Sequence, residues 1–173
     1  MTDVTSEAFI VFTYGSNMLS ARIRERCASA RLLGVGELAG YELRWHKRSR
    51  KDGSGKCDIV VTTAPNAIVW GALFEIARDE KTLLDRFEGL GAGYEEKQLK
   101  IVCRGKSMGV LAYVATDIDS TLKPFTWYRA FVVAGAEENH LPRPYIERIK
   151  SANATEDPDR DRHAQKMRLI EGA

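Results

Sequence analysis

The sequence has little of what several broad classes of protein require. Its 173 residues include three cysteines and three histidines, with no C-x-x-C pair and no histidine at zinc-ligand spacing. We therefore expect neither a disulfide framework nor a metal site, and Cys27, Cys57 and Cys103 are predicted to be reduced core thiols. No organic cofactor is predicted.

Long apolar runs and an excess of one charge are also missing. No apolar segment approaches the roughly 20 residues of a membrane helix, and residues 1–8 are polar and acidic, unlike a signal or transit peptide. The 26 basic and 24 acidic side chains nearly balance, so no broad positive field is available to hold nucleic acid. We expect a cytoplasmic protein that binds neither membranes nor nucleic acid. Its oligomeric state is left open, with a homodimer as one possibility.

The pattern of short elements predicts an α+β fold. An apolar content of 44% is enough for one compact domain, which we place at residues 1–152, followed by a charged tail over 153–173 that could form a short helix. Because short strands joined by hairpins dominate and strands do not alternate with helices, we predict a small mixed, mainly antiparallel β-barrel with surrounding helices.

The individual elements follow from apolar periodicity and turn residues. Strands are predicted at 9–14, 31–38, 41–47, 57–63, 67–76, 96–102 and 107–115, and helices at 18–27, 78–88, 124–138 and 142–152. The strands at 57–63 and 67–76 are predicted to pair as a hairpin, as are those at 96–102 and 107–115. Residues 48–56, rich in Lys, Gly and Ser, are predicted to be a flexible loop.

The turn after the first strand is a candidate anion site. Tyr14, Gly15, Ser16 and Asn17 stand between a strand end and a helix start, where several backbone N–H groups can converge on a carboxylate or an oxyanion. The same residues also suit an ordinary turn in which Gly15 supplies an unusual φ and Ser16 or Asn17 caps the helix.

Glu88 is a candidate general acid/base. It ends the helix over 78–88 and precedes the glycine-rich turn over 89–93, where no bulky side chain keeps a carboxylate out of a cleft. A solvated charge at a helix end is the alternative. Ser16 does not lie in a G-x-S-x-G elbow and no histidine is placed to activate it, so the sequence does not favour a serine hydrolase.

These features, taken in order, resemble the γ-glutamylcyclotransferase-like family. The resemblance covers about residues 9–152 and is carried by Tyr14–Asn17 with Arg22-Ile23, Val69-Trp70-Gly71, Leu84-Asp85 with Glu88-Gly89, and Gly135–Glu138 with Leu141-Pro142 and Tyr145. It implies a small mixed barrel and a reaction that needs no metal or organic cofactor. In that reaction the α-amine of a γ-glutamyl amide or peptide attacks its own γ-carbonyl, releasing 5-oxoproline and a free amine or amino acid.

The resemblance also implies roles for individual residues. Glu88 matches the catalytic acid/base, Thr13 and the adjoining loop over 14–17 match the segment around the γ-glutamyl group, and Tyr94 and Tyr145 match pocket tyrosines. Two other functions stay open: a γ-glutamyl amide hydrolase or acyltransferase that uses an external nucleophile, and a non-catalytic γ-glutamyl-binding module.

Two segments lie outside the resemblance. These are the basic stretch over 48–56 and the tail after residue 152. We expect specificity for the leaving amine to depend on such parts.

Overall fold

A computed structural model describes residues 7–173; residues 1–6, which contribute to the expectation of no signal peptide, lie outside the described part. The strands are β1 (Ala8–Thr13), β2 (Arg31–Ala39), β3 (Tyr41–Arg48), β4 (Gly55–Val61), β5 (Ile68–Ala77), β6 (Tyr94–Cys103) and β7 (Lys106–Ala115). The α-helices are α1 (Ser20–Arg26), α2 (Lys81–Glu88), α3 (Thr126–Glu138), α4 (Arg143–Lys150) and α5 (Arg160–Glu171). Short 3-10 turns at Ser16–Met18 and Arg78–Glu80 precede α1 and α2.

Five of the strands close into a barrel in the order β1, β5, β2, β6, β7. Neighbouring strands run antiparallel, except that β1 and β7 pair in parallel where the barrel closes, at Val11 and Leu111. The predicted α+β fold with a mixed, mainly antiparallel barrel is therefore confirmed. The hairpin of β6 and β7 is also found as predicted.

The predicted hairpin between 57–63 and 67–76 is wrong. β4 pairs with β3 in a separate two-stranded sheet, whereas β5 lies inside the barrel between β1 and β2. Periodicity predicts that each segment is a strand, but both edges of the largely buried β5 are taken by non-local partners. Closeness in the sequence therefore does not determine the partners of β5.

The segment 48–56, predicted as a flexible loop, contains the end of β3, the turn over 49–54 and the start of β4. The Ser49 N–H donates to the Ser54 carbonyl at 2.9 Å, and Ser54 Oγ donates to Asp52 Oδ1 at 2.7 Å. Ser49 and Ser54 are both buried. The turn is thus held by internal hydrogen bonds.

Helix α3 packs against the turn that follows β1. A Cβ added at Gly135 would lie 2.6 Å from the backbone nitrogen of Leu19, so only a glycine permits this approach. Asn139 Nδ2 donates to the Met18 carbonyl at 2.9 Å, and Glu138 Oε2 accepts from the Ser20 N–H at 2.8 Å. These contacts position the turn by satisfying its backbone groups.

The tail carries helix α5, which lies against α3. Trp127 Nε1 on α3 donates to Asp157 Oδ2 at 2.8 Å, and Arg162 on α5 donates to both oxygens of Asp157 at 2.7 and 2.5 Å. The Asp157 carboxylate is buried and its hydrogen bonds tie the tail to the rest of the chain. The domain boundary at residue 152 stays a prediction. Within residues 7–173, no helix has the length and apolar character needed to cross a bilayer.

Candidate active site

A cavity of about 310 Å³ lies beside the barrel. Its walls come from the turn after β1, the end of α2, the β3–β4 turn, and the sides of α3 and α5. This volume is at the lower end of the range for small-molecule sites. The cavity therefore suits a compact ligand.

Glu88 lies in the wall of this cavity, at the last residue of α2. Gly89 ends the helix in a left-handed conformation, with φ of 69°, and turns the chain away from the carboxylate. Glu88 Oε1 accepts from Asn17 Nδ2 at 2.5 Å and from Arg26 Nη1 at 3.2 Å, and the side chain is 13% exposed. Oε2 makes no hydrogen bond to any residue within 7–173. One carboxylate oxygen is thus fixed and the other is free to contact a ligand.

The predicted anion loop forms the adjoining wall. The structure brings Thr13, Tyr14, Gly15, Ser16 and Asn17 together along the cavity. The N–H groups of residues 15–17 donate to no acceptor in the described part of the chain. The Oδ1 atom of Asn17 is buried and also has no partner there. The loop therefore offers both donors and one acceptor to a ligand.

A glycine is needed at position 15 because a larger side chain would contact Cys57 and Tyr128 too closely. Its φ is −117°, so the unusual φ allowed in the sequence interpretation is not found. A Cβ at this position would lie 3.1 Å from both Cys57 Cβ and the Tyr128 hydroxyl oxygen, closer than most such contacts. Glycine therefore lets the loop approach β4 and α3 closely.

Four tyrosines complete the inner part of the cavity: Tyr14, Tyr94, Tyr113 and Tyr128. Tyr14 donates its hydroxyl to the Tyr113 carbonyl, Tyr94 donates to the Cys57 carbonyl at 2.8 Å, and Tyr128 accepts from the Cys57 N–H at 3.1 Å. Burial is the main reason that the pKa of each of the four hydroxyls is raised. They stay protonated at physiological pH.

The structure does not bring Tyr145 to the cavity. This side chain is buried on α4 and lines a separate groove with Trp45 and Trp70. Tyr128, on α3, lines the cavity instead, although no sequence motif marked it. Only the amphipathic pattern of α3, which predicts one buried face, could have pointed to Tyr128.

Among the described residues that line the cavity, no cysteine or serine is activated as a nucleophile. Burial raises the pKa of the Cys57 thiol to about 12, which keeps it protonated and unreactive. No histidine is among the described lining residues that could activate Ser16, and His46 lies elsewhere, bonded to Asp58 at 2.7 Å. Residues 7–173 contain no group of three or more His, Cys, Asp or Glu side chains arranged for a metal ion.

Known proteins resemble this chain in both sequence and structure. The model of the AIG2-like family matches residues 68–149. The γ-glutamylcyclotransferase of Homo sapiens is 30% identical over 155 residues, which cover 87% of this chain and 82% of the human protein. The Mus musculus γ-glutamylcyclotransferase is 31% identical over 156 residues, covering 87% and 81% of the two chains.

The structural similarity extends further along the chain. A solved γ-glutamyl cyclotransferase superposes on this chain with a TM-score of 0.84 at 26% sequence identity. The superposition covers 96% of this chain and 100% of the solved chain. The shared fold therefore includes the barrel and the elements around the cavity.

Proposed function

The chain belongs to the γ-glutamylcyclotransferase family, and we propose that it converts γ-glutamyl amides or peptides into 5-oxoproline and a free amine or amino acid, with Glu88 as the general acid/base. One observation carries the assignment of Glu88. Glu88 and Asp52 are the only carboxylates among the described residues of the cavity wall. Ser54 and Lys56 occupy both oxygens of Asp52, whereas Oε2 of Glu88 has no partner among residues 7–173.

The proposed reaction is an internal acyl transfer. The α-amino nitrogen of the substrate forms a bond to the γ-carbonyl carbon, and the bond from that carbon to the leaving nitrogen breaks. The attacking amine loses a proton and the leaving nitrogen gains one, so a single carboxylate can carry the proton between them. Because the nucleophile belongs to the substrate, this chemistry needs no activated cysteine or serine, and none is found among the described lining residues.

The contacts of Glu88 support this role. Asn17 and Arg26 hold Oε1, and Oε2 has no competing donor from residues 7–173. Before it is deprotonated, the substrate ammonium can donate one hydrogen bond to Glu88 Oε2 and another to the buried Oδ1 of Asn17. The attacking nitrogen would thus lie between Glu88 and Asn17.

The loop over 14–17 would bind the γ-carbonyl oxygen. The unpaired N–H groups of residues 15–17 can stabilise the oxyanion that forms during attack. One such donor is worth about 3 to 4 kcal/mol in well-studied oxyanion holes. Confining the substrate in a folded conformation adds the advantage of an intramolecular reaction.

Other site residues would shape the pocket. Thr13 and Tyr94 are proposed to contact the γ-glutamyl group as predicted, and Tyr128 joins them because its hydroxyl lies beside Gly15. Tyr145 is proposed to act only by supporting the helices behind the cavity, since it does not line it.

Product analysis tests the proposal. The protein is incubated with a series of γ-glutamyl amino acids and with the same compounds acetylated on the α-amine, and products are identified by mass spectrometry. We expect 5-oxoproline from the free amines and no reaction of the acetylated compounds. Release of glutamate, or cleavage of the acetylated substrates, would show that water or another external nucleophile attacks. The proposed function would then be hydrolysis rather than cyclisation. Binding without turnover would favour a non-catalytic module.

A further inference from the structure

The outer part of the cavity is strongly basic. Nine of the described lining residues are Lys or Arg, whereas Asp52 and Glu88 are the only acidic ones. A γ-glutamyl group carries a single carboxylate together with its amine, so it would not need this excess of positive charge.

Four of these basic side chains form two groups, each around one aromatic ring. Arg26 and Lys51 lie over Phe87, at 5.5 and 6.0 Å from the ring centre. Lys56 and Lys166 lie over Trp127, at 4.5 and 5.5 Å. Because α2 carries Phe87 and α3 carries Trp127, the two groups occupy different walls of the cavity.

Each group has one cation that is already paired and one that is not. Arg26 contacts Glu88 at 3.2 Å and Lys56 contacts Asp52 at 3.0 Å. Lys51 and Lys166 have no carboxylate within 4.0 Å among residues 7–173. Lys51 and Lys166 are therefore available to an external anion.

A third unpaired cation lies deeper in the cavity. Lys47 is 8% exposed, has no carboxylate within 4.0 Å in the described part of the chain, and lies 4.5 Å from the centre of the Tyr94 ring. An ammonium group this well buried is costly unless a counter-ion approaches it. Glu88 and Asp117 offset part of this cost, and a bound anion would offset more of it, so Lys47 is a further cation that an anionic ligand can contact.

We propose that the leaving amine is an acidic amino acid, so that the preferred substrates are γ-glutamylglutamate and γ-glutamylaspartate, with Lys51 and Lys166 each binding one carboxylate of the leaving group. This inference rests on the proposed function. Two separate groups of cations match two carboxylates, and the cavity volume of about 310 Å³ suits a dipeptide rather than a longer chain.

Neighbouring cations lower the pKa of Lys166, which is consistent with this assignment. Burial, followed by the neighbouring charges of Arg22, Arg26 and Lys51, lowers the pKa of Lys166, with Glu25 acting in the opposite direction. Like charges held this close repel one another, and a bound dicarboxylate would relieve that repulsion. The substrate therefore gains affinity from charges that the protein itself does not neutralise.

The test compares matched leaving groups on the full chain. Rates of 5-oxoproline release are measured with γ-glutamylglutamate and γ-glutamylaspartate, and with γ-glutamylglutamine and γ-glutamylasparagine, which differ from them only by a side-chain amide. We expect kcat/KM to be ~10- to 100-fold higher for the acidic members, since hydrogen bonds to charged groups have this effect. Equal or higher values for the amides would overturn the inference while leaving the proposed function intact. No 5-oxoproline from any of the four would overturn the proposed function itself.

Variants identify the residues responsible. The double variant Lys51→Met with Lys166→Met should lose most of the preference for acidic leaving groups. Its kcat/KM with γ-glutamylglutamine should also fall, by a smaller factor, because that substrate keeps the α-carboxylate that one of the two lysines binds. Arg168→Met is the matched control, because Arg168 is exposed on α5 and does not line the cavity. A double variant that retains the full preference would overturn the assignment of these two lysines.

Discussion

Asn17 donates a hydrogen bond of 2.5 Å from Nδ2 to Glu88 Oε1, and this bond joins residues that are 71 positions apart in the sequence. It links the loop that would bind the γ-carbonyl to the carboxylate that would move the proton. The side-chain amide of Asn17 therefore contributes directly to the relative position of the two parts of the site, together with Arg26, which holds the same oxygen.

Replacing Asn17 with alanine should reduce turnover more than stability. Glu88 would lose one of its two partners for Oε1 and keep only Arg26. We expect kcat to fall ~10- to 100-fold, in line with the loss of a hydrogen bond to a charged group. Steady-state kinetics and a thermal melt measure both effects, with Asn153→Ala, at an exposed position, as the control. An unchanged kcat would mean that the amide does not position Glu88.

Replacing Gly15 with valine should prevent substrate binding. A Cβ added at Gly15 would lie 3.1 Å from Cys57 Cβ and from the Tyr128 hydroxyl oxygen, and the two methyl groups of valine would add further bulk to the same space. We expect KM to rise by at least about tenfold, because the loop must move away from its ligand position. Gly109→Val is the control, since a Cβ at Gly109 meets nothing within 4 Å. Equal KM values for the two variants would show that the loop is not the binding site.

Replacing Gly135 with alanine should destabilise the protein. In an ordinary helix interior this change is stabilising by about 1 kcal/mol. Here the new Cβ would lie 2.6 Å from the Leu19 nitrogen, so α3 must move away from the turn, at a cost of about 1 to 3 kcal/mol. Urea unfolding gives the free energy of unfolding, and a gain in stability would contradict the close packing of α3 against Leu19.

Lys56 should make stability depend on pH in the alkaline range. Burial lowers its pKa from 10.5 to about 8, although Asp52 opposes the shift. Between these two values the unfolded chain holds a proton that the folded protein has released, so the free energy of unfolding rises with pH. Relative to Lys56→Met, the wild type should gain about 3 kcal/mol between pH 8 and 10.5. Urea unfolding of both proteins at several pH values measures the difference, and a constant difference would show that Lys56 has an ordinary pKa.

Local sequence patterns predict most of the elements but not all of their partners. The helix ending at Glu88 and the hairpin of β6 and β7 were predicted because amphipathic periodicity and short turns are local signals. The pairing of β5 with β1 and β2 depends on how distant apolar faces meet, and no neighbouring residue encodes it.

The residues of the candidate site likewise fall into some that local sequence patterns mark and others that only tertiary packing brings to the cavity. The loop over 14–17 and Glu88 could be predicted as candidates because a glycine turn and a helix end mark them in the sequence, and the structure places both in the wall of one cavity. Tyr128 and Lys166 reach the cavity from α3 and α5 through tertiary packing, which periodicity does not specify. Tyr145, which the sequence resemblance implies for the pocket, lines another groove.

The central claim is that Glu88 moves the proton during cyclisation, and the most direct measurement is the rate of 5-oxoproline formation by Glu88→Gln. Glutamine keeps the shape of the side chain and removes its basicity. General acid–base catalysis typically contributes ~100- to 10,000-fold, and we expect kcat to fall by at least this range while the melting temperature stays near that of the wild type. Glu95→Gln, at an exposed position on β6, should retain normal turnover. If a folded Glu88→Gln protein forms 5-oxoproline at the wild-type rate, Glu88 is not the acid/base.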